Sequence, residues 1–110
     1  MNVLTPGHRY KLDNFERPEQ QGQILQFIEK VPVVREAEAL ASPGELRTVH
    51  DGTTNEEVLR MLIDRMQSLQ ARFPCRENAI VVTKLEESLM WLEKRTAERK
   101  ARGVEGKHIA

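Results

Sequence analysis

Residues 73–91 have the sequence FPCRENAIVVTKLEESLMW, and this stretch decides the fold. Pro74 ends a helical pattern, because its ring disfavours helical geometry at Phe73. Cys75 then takes the N-cap position of a second helix, where Ser is more usual and a thiol is a weaker hydrogen-bond acceptor. The stretch therefore predicts two helices joined by one or two residues, which must lie antiparallel.

The helix before this bend has the clearest periodic pattern. The residues TTNEE at 53–57 contain the Ser/Thr-x-x-Glu capping box in two alternative registers, and they predict a helix start near Asn55. Apolar residues then recur at steps of three or four up to the bend, at Val58, Leu62, Met66, Leu69 and Phe73, widened by Leu59 and Ile63. This spacing predicts an amphipathic helix that ends at Phe73.

The helix after the bend is expected to run to about Arg102, where Gly103 suits a C-terminal stop. Its predicted apolar stripe is Val81, Leu85, Leu89 and Leu92, widened by Val82 and Met90. Two helices alone cannot bury two stripes this broad in a chain of 110 residues. We therefore expect a homo-oligomer.

The residues before the helices predict an arm and a small antiparallel sheet. Residues 1–21 are polar and contain Pro6, Gly7 and Pro18, with residues 10–12 as a possible short edge strand. Residues 23–28 (QILQFI) suit a first strand, ended by the charged residues and proline of 29–32.

Residues 35–41 are either one helical turn or a loop, and residues 45–50 alternate as expected for a second strand that pairs with the first. The predicted fold class is thus α+β, a small N-terminal antiparallel β segment followed by a long C-terminal antiparallel helical hairpin. We assign residues 1–52 to the arm and sheet and residues 53–110 to the hairpin, together one compact unit.

Charge and composition exclude several classes of protein. Formal net charge is zero, but residues 13–57 are acidic on balance and residues 94–107 are basic. Zero net charge argues against binding long nucleic acid, so the expected anion is small. No signal peptide and no run of about 20 apolar residues is visible, and the single Cys cannot form an internal disulfide. A soluble cytosolic protein is expected.

The signatures of catalysis are also missing from the sequence. No phosphate-binding glycine motif, no paired His at zinc spacing and no nucleophile elbow is present, and the three His residues are far apart. We expect no enzymatic activity, no metal and no cofactor.

A basic cluster near the end of the second helix is the strongest candidate for anion binding. Trp91, Arg95, Arg99 and Arg102 recur at steps of three or four and are predicted to share a helix face. Arginine binds phosphate through two parallel hydrogen bonds, and an aromatic neighbour offers a stacking surface. The alternative is a solvated helix end that compensates the helix dipole; composition does not decide between them.

Asn78, at the start of the second helix, has amide groups suited to a base edge, although a simple helix-start residue is the alternative. It lies 17 positions before Arg95, roughly 25 Å along a helix. One protomer cannot bring both residues to a small ligand. Two antiparallel copies could, which predicts two equivalent sites at a two-fold interface.

Five segments together resemble the phage anti-Thoeris and anti-CBASS sponge proteins, which share a helical-hairpin domain. They are DGTTNEEVL at 51–59, FPCRENA at 73–79, TKLEE at 83–87, MWL at 90–92 and KRT at 94–96. Residues 23–29 are similar to the strand part of the anti-Thoeris branch. The resemblance covers about residues 51–107, and the TKLEE and MW segments at this spacing are its most specific parts.

The resemblance implies a phage-encoded, non-enzymatic inhibitor that sequesters an immune second messenger in the cytoplasm of the infected bacterium. For the anti-Thoeris branch the messenger is a glycocyclic ADP-ribose, and some members also hold CBASS cyclic di- or trinucleotides. The resemblance also implies that the protein forms dimers or higher oligomers such as hexamers. The ligand-binding residues of the family fall on Asn78, Arg95 and Arg99. A small helical adaptor that binds protein or RNA through its basic arm is the alternative function.

One position departs from the family pattern. Members often carry an aromatic residue, able to stack on adenine, where this chain has Ser68; Phe73 and Trp91 are the candidate replacements. Weaker candidates for ligand contacts are Arg76, Thr83, Lys84 and Arg47.

Overall fold

A computed structural model describes residues 1–33 and 45–103. The chain divides into two compact units, Met1–Thr54 and a second unit that begins at Asn55. Strands fill the first unit and two helices the second, so the predicted α+β fold class is confirmed. The alternatives for residues 35–41 lie outside the described residues.

The first unit begins with a three-stranded antiparallel sheet in the order β1-β2-β3. Its strands are β1 (Asn2–Thr5), β2 (Arg9–Leu12) and β3 (Gln23–Gln26). The backbone N–H of His8 donates to the carbonyl of Thr5 at 3.0 Å, and Gly7 has a φ of 76°, so Pro6 and Gly7 are the central residues of a type II turn.

Two expectations for this region were wrong. Residues 2–5 form a strand rather than an irregular arm, and residues 10–12 belong to the central strand rather than to an edge. The reason is that Pro6 and Gly7 do not only interrupt regular structure; as a turn pair they return the chain onto itself.

A second, two-stranded antiparallel sheet pairs β4 (Glu29–Pro32) with β5 (Leu46–His50). The strand at 45–50 therefore does not pair with residues 23–28, and residues 29–32 form a strand rather than ending one. The backbone N–H of Ile28 donates to the carbonyl of Thr53 at 2.9 Å, so the chain changes partner after β3. Pro32 is tolerated because it ends a strand of a two-stranded sheet, where one backbone edge is open.

The second unit is the predicted hairpin, with α1 (Asn55–Arg72) and α2 (Arg76–Ala101) joined by residues 73–75. Thr54 directly precedes α1, which is the cap position of the second capping-box register. Arg102 is the C-cap of α2, and Gly103 follows with a φ of 71°, the left-handed geometry expected at a helix stop. Neither described helix has both the length and the apolar character needed to cross a bilayer.

Half-buried side chains on α1 and α2 face each other along what we call the seam. On α2 they recur at alternating steps of four and three: Asn78, Val82, Leu85, Leu89, Leu92, Thr96 and the more deeply buried Arg99. Val81 and Met90, expected in this stripe, are instead 41% and 54% exposed, because the stripe follows a heptad pattern that leaves them to either side. No apolar side chain among the described residues is fully buried.

Candidate functional site

The bend is fixed by hydrogen bonds to both helices. Cys75 has an extended backbone and caps α2, with its Sγ accepting from the backbone N–H of Asn78 at 3.4 Å. Its own N–H donates to Oε1 of Gln70 on α1 at 3.0 Å. The predicted cap is confirmed, and it holds the first turn of α2 at a defined position relative to α1.

Asn78 lies at the bend end of the seam. It is half-buried, and its side-chain amide makes no hydrogen bond to another described residue, so its donors and acceptor remain available. Phe73 beside it is 68% exposed, with the guanidinium carbon of Arg72 5.8 Å from its ring centroid. Arg76 is exposed in the first turn.

The other end of α2 carries the arginine cluster, and the structure divides it. Arg95 is exposed, and its guanidinium has no ion pair with any described residue. Trp91 is 60% exposed, and the Nζ of Lys94 lies 4.9 Å from its ring centroid. Arg99, in contrast, is only 9% exposed. Arg99 lies four residues after Arg95 and thus only about 40° from it around the helix, but it falls on the seam, seven residues after Leu92, and is buried where Arg95 is exposed.

The two ends of α2 cannot meet in one chain. α2 is one continuous helix from Arg76 to Ala101, so the 17 positions between Asn78 and Arg95 correspond to about 25 Å. The ion pair between Arg60 and Glu93, with 3.4 Å between nitrogen and oxygen, shows how the two helices align. Counting from this pair places Asn78 next to the bend and Arg95 beside the first turn of α1.

One side of the seam forms an open groove of about 360 Å³, which we call the groove flank. It is lined by Arg60, Ile63, Asp64, Gln67, Glu86, Leu89, Met90 and Glu93. The cation among these lining residues, Arg60, is paired with both Glu57 and Glu93, at 3.5 and 3.4 Å. The groove flank is thus acidic on balance, and it contains none of the ligand-binding residues predicted from the sequence.

The opposite side of the seam, which we call the basic flank, is defined by helix geometry. The groove is lined by residues that directly follow seam leucines, such as Ile63 and Glu86. Successive residues are rotated by about 100° around the helix axis. Residues one position before a seam leucine, or three positions after it, therefore point to the other side of the seam. They are Met61, Arg65, Ser68, Arg72, Lys84, Ser88, Trp91 and Arg95.

Of the weaker candidates, only Lys84 lies on the basic flank, where its Nζ is 3.7 Å from a carboxylate oxygen of Glu87. Thr83 is exposed on a different side of α2. Arg47 is an exposed residue of β5 in the first unit. Arg65 and Arg72, which were not among the predicted contacts, also lie on this flank, three residues after Leu62 and Leu69 and on either side of Ser68.

The described residues give no sign of metal chemistry. Within residues 1–33 and 45–103, no three His, Cys, Asp or Glu side chains come together as a set of metal ligands. The chemistry that the described hairpin offers is therefore hydrogen bonding and ion pairing.

Comparison with known proteins adds a family to this geometry. Residues 30–97 match the family described as Acb2/Tad1, hairpin domain. The chain is also 59% identical over 59 residues to Thoeris anti-defense 1 of Bacillus phage SBSphiJ7. This matched stretch covers 53% of this chain and 42% of that protein. The matched family region contains the bend, Asn78 and Arg95, whereas Arg99 lies just beyond it.

Proposed function

The chain belongs to the Acb2/Tad1 hairpin-domain family, and on that premise we propose that it is a phage inhibitor of Thoeris immunity. It binds a small nucleotide signal and holds it without cleaving it. The observation that carries this proposal is the 59% identity to Thoeris anti-defense 1, a protein of which the chain spans about two fifths. The proposed place of action is the cytoplasm of the infected host.

The ligand class we propose is a glycocyclic ADP-ribose, with CBASS cyclic di- or trinucleotides as further ligands. Both classes carry phosphates, which arginine binds through charge-assisted hydrogen bonds. Arg95 is exposed and has no ion pair with a described residue, so an anion need not displace a carboxylate to reach it. This arrangement supports Arg95 as the main phosphate contact.

The proposed site is shared between two copies of the chain. Arg95 and Arg99 of one protomer act with Asn78 of the partner subunit, because the two ends of α2 are about 25 Å apart within one protomer. A two-fold axis then generates two equivalent sites in each dimer. Family members often have an aromatic residue where this chain has Ser68. Phe73 and Trp91, both exposed, could stack on a base in its place.

Self-association is part of this proposal, as a dimer or a higher oligomer such as a hexamer. The hairpin exposes several large apolar side chains: Met61, Phe73, Ile80, Val81, Met90 and Trp91. These side chains lie on both flanks and at the bend, so a second copy of the chain could cover apolar surface on more than one side of the hairpin. Light scattering at micromolar concentration should give a mass at least twice that of the 12.7 kDa chain; a monodisperse monomer would contradict the shared site.

Binding without turnover is tested by titrating the purified chain, in a calorimeter, with cyclic ADP-ribose isomers and cyclic di- and trinucleotides. We expect one ligand per protomer. Heat denaturation should then release a ligand of unchanged mass and chromatographic mobility. A new product in stoichiometric or greater amount would refute sequestration, whereas no binding to any member of the panel would favour the adaptor alternative.

The matched control for this titration is Arg60→Ala. Arg60 is also an exposed arginine of the hairpin, but it lies on the groove flank and is already paired with two carboxylates. We expect the control to bind like the wild type. Weakening equal to that of Arg95→Ala would show that binding reflects overall charge rather than a site.

A further inference from the structure

Two arginines of α1 lie on the basic flank without any charged partner. Arg65 and Arg72 are exposed, and neither makes an ion pair or a hydrogen bond through its guanidinium with a described residue. Arg60, on the same helix, contacts Glu57 and Glu93. The hairpin thus neutralises the arginine of one flank and leaves those of the other flank available.

These arginines flank a small, polar position. Arg65 and Arg72 are seven residues, or about 10 Å, apart along α1, and Ser68 lies between them. The Ser68 hydroxyl has no hydrogen bond to a described residue. A serine side chain is short, so residue 68 leaves the helix surface between the positions of Arg65 and Arg72 open to a ligand.

A third cation approaches from α2. Counting along the two helices from the Arg60–Glu93 contact places Lys84 opposite Leu69, on the same flank as Ser68. Packed helices lie about 8–10 Å apart, a distance that a lysine side chain can reach across. The only charged partner of Lys84 among the described residues is Glu87, on the solvent side, at 3.7 Å. Glu77, in the first turn of α2, is the acidic residue at the bend end of this flank.

We infer that Arg65, Arg72 and Lys84 form a diphosphate-binding surface on the basic flank, with the Ser68 hydroxyl as a further hydrogen-bond donor. Arginine binds phosphate oxygens through its planar fork. Two long arginine side chains whose backbone positions are about 10 Å apart on one helix face can each bind one of two linked phosphates. This inference deepens the proposed function, because only the identity of the natural ligand is taken from that proposal.

The inference can be tested without the natural ligand by titrating the full chain with inorganic pyrophosphate. The Nε–Hε resonances of arginine in nitrogen-15 NMR spectra report contact with phosphate directly. We expect the resonances of Arg65 and Arg72 to move and saturate, and that of Arg60 to stay in place. Equal movement of all three, or none at Arg65 and Arg72, would overturn the inference.

The second arm of the test uses Arg65→Gln and Arg72→Gln, with Arg60→Gln as matched control. Each basic-flank variant should weaken pyrophosphate and cyclic ADP-ribose isomers by about tenfold, the effect of losing one charge-assisted hydrogen bond. Wild-type affinity for cyclic ADP-ribose isomers in both variants would overturn the inference and leave the proposed function standing. Pyrophosphate binding that depends on both arginines, without binding of any cyclic nucleotide, would uphold the inference and refute the proposed function.

Discussion

The two ends of α2 differ in what determines their structure. At the bend, the Cys75 cap and its bond to Gln70 are local interactions, made within a few residues of each other. At the other end, Arg95 and Arg99 are one turn apart and chemically identical, yet one is exposed and the other is 9% exposed. Spacing along the helix therefore does not by itself give two arginines the same environment.

The largest expected effect is a loss of messenger binding when the arginines of α2 are replaced. Replacing both arginines, Arg95→Ala with Arg99→Ala, should weaken messenger binding by about a hundredfold or more, because each lost charge-assisted hydrogen bond costs about 1.5–3 kcal/mol. Calorimetry with the bound isomer measures this. If the double variant binds as the wild type does, the site does not lie at this end of α2.

The second effect separates the two arginines by stability. Arg99→Ala should lower the free energy of unfolding by about 1–3 kcal/mol, since a buried charged side chain has its polar partners inside the protein. Arg95→Ala, at an exposed position, should change it by less than about 0.5 kcal/mol. Urea denaturation of the two single variants provides the comparison, and equal costs would show that burial does not distinguish them.

The third prediction tests whether Asn78 and Arg95 of different protomers share one site. Asn78→Ala alone should weaken binding about tenfold, through the loss of amide hydrogen bonds. When it is co-expressed with Arg95→Ala and mixed dimers are isolated with two affinity tags, one site per dimer carries both defects and the other none. Tight binding should return at about half of the wild-type stoichiometry. Binding that stays weak at every site would place both residues in the same protomer's site.

The smallest effect concerns the bend. Cys75→Ser replaces a weak thiol acceptor with a hydroxyl at the N-cap, so we expect a gain of about 0.5 kcal/mol in the free energy of unfolding. Messenger binding should stay unchanged because the cap contacts only backbone and Gln70. A loss of stability, measured by thermal unfolding, would mean that the thiol contributes by packing rather than as an acceptor.

Sequence reasoning succeeded for the hairpin and failed for much of the sheet. The start at Asn55, the bend at Phe73 and the stop before Gly103 are set by capping, proline and glycine, whose effects reach only a few residues. The pairing of β4 with β5 was missed because strand partners are distant in sequence and no local rule selects them. Even so, the Pro6-Gly7 pair was a readable turn signal for β1 and β2.

The candidate site divides in the same way. Asn78 and Arg95 could be placed 25 Å apart from sequence alone, because helix length is fixed by residue count. Which arginines form ion pairs could not be predicted from the sequence, because ion pairing between the helices depends on how the helices align. Arg60 meets Glu93 across 33 residues, whereas Arg65 meets no carboxylate of the described chain.

By itself, the sequence determined that this protein has a helical hairpin, where it bends and how far apart Asn78 and Arg95 lie, since helix caps and the rise per residue are local properties. Only the tertiary structure decided that Val81 is exposed and Arg99 is buried, and that the hairpin has an acidic and a basic flank. Those outcomes depend on which faces of two helices meet, and that choice is made by packing along the whole seam.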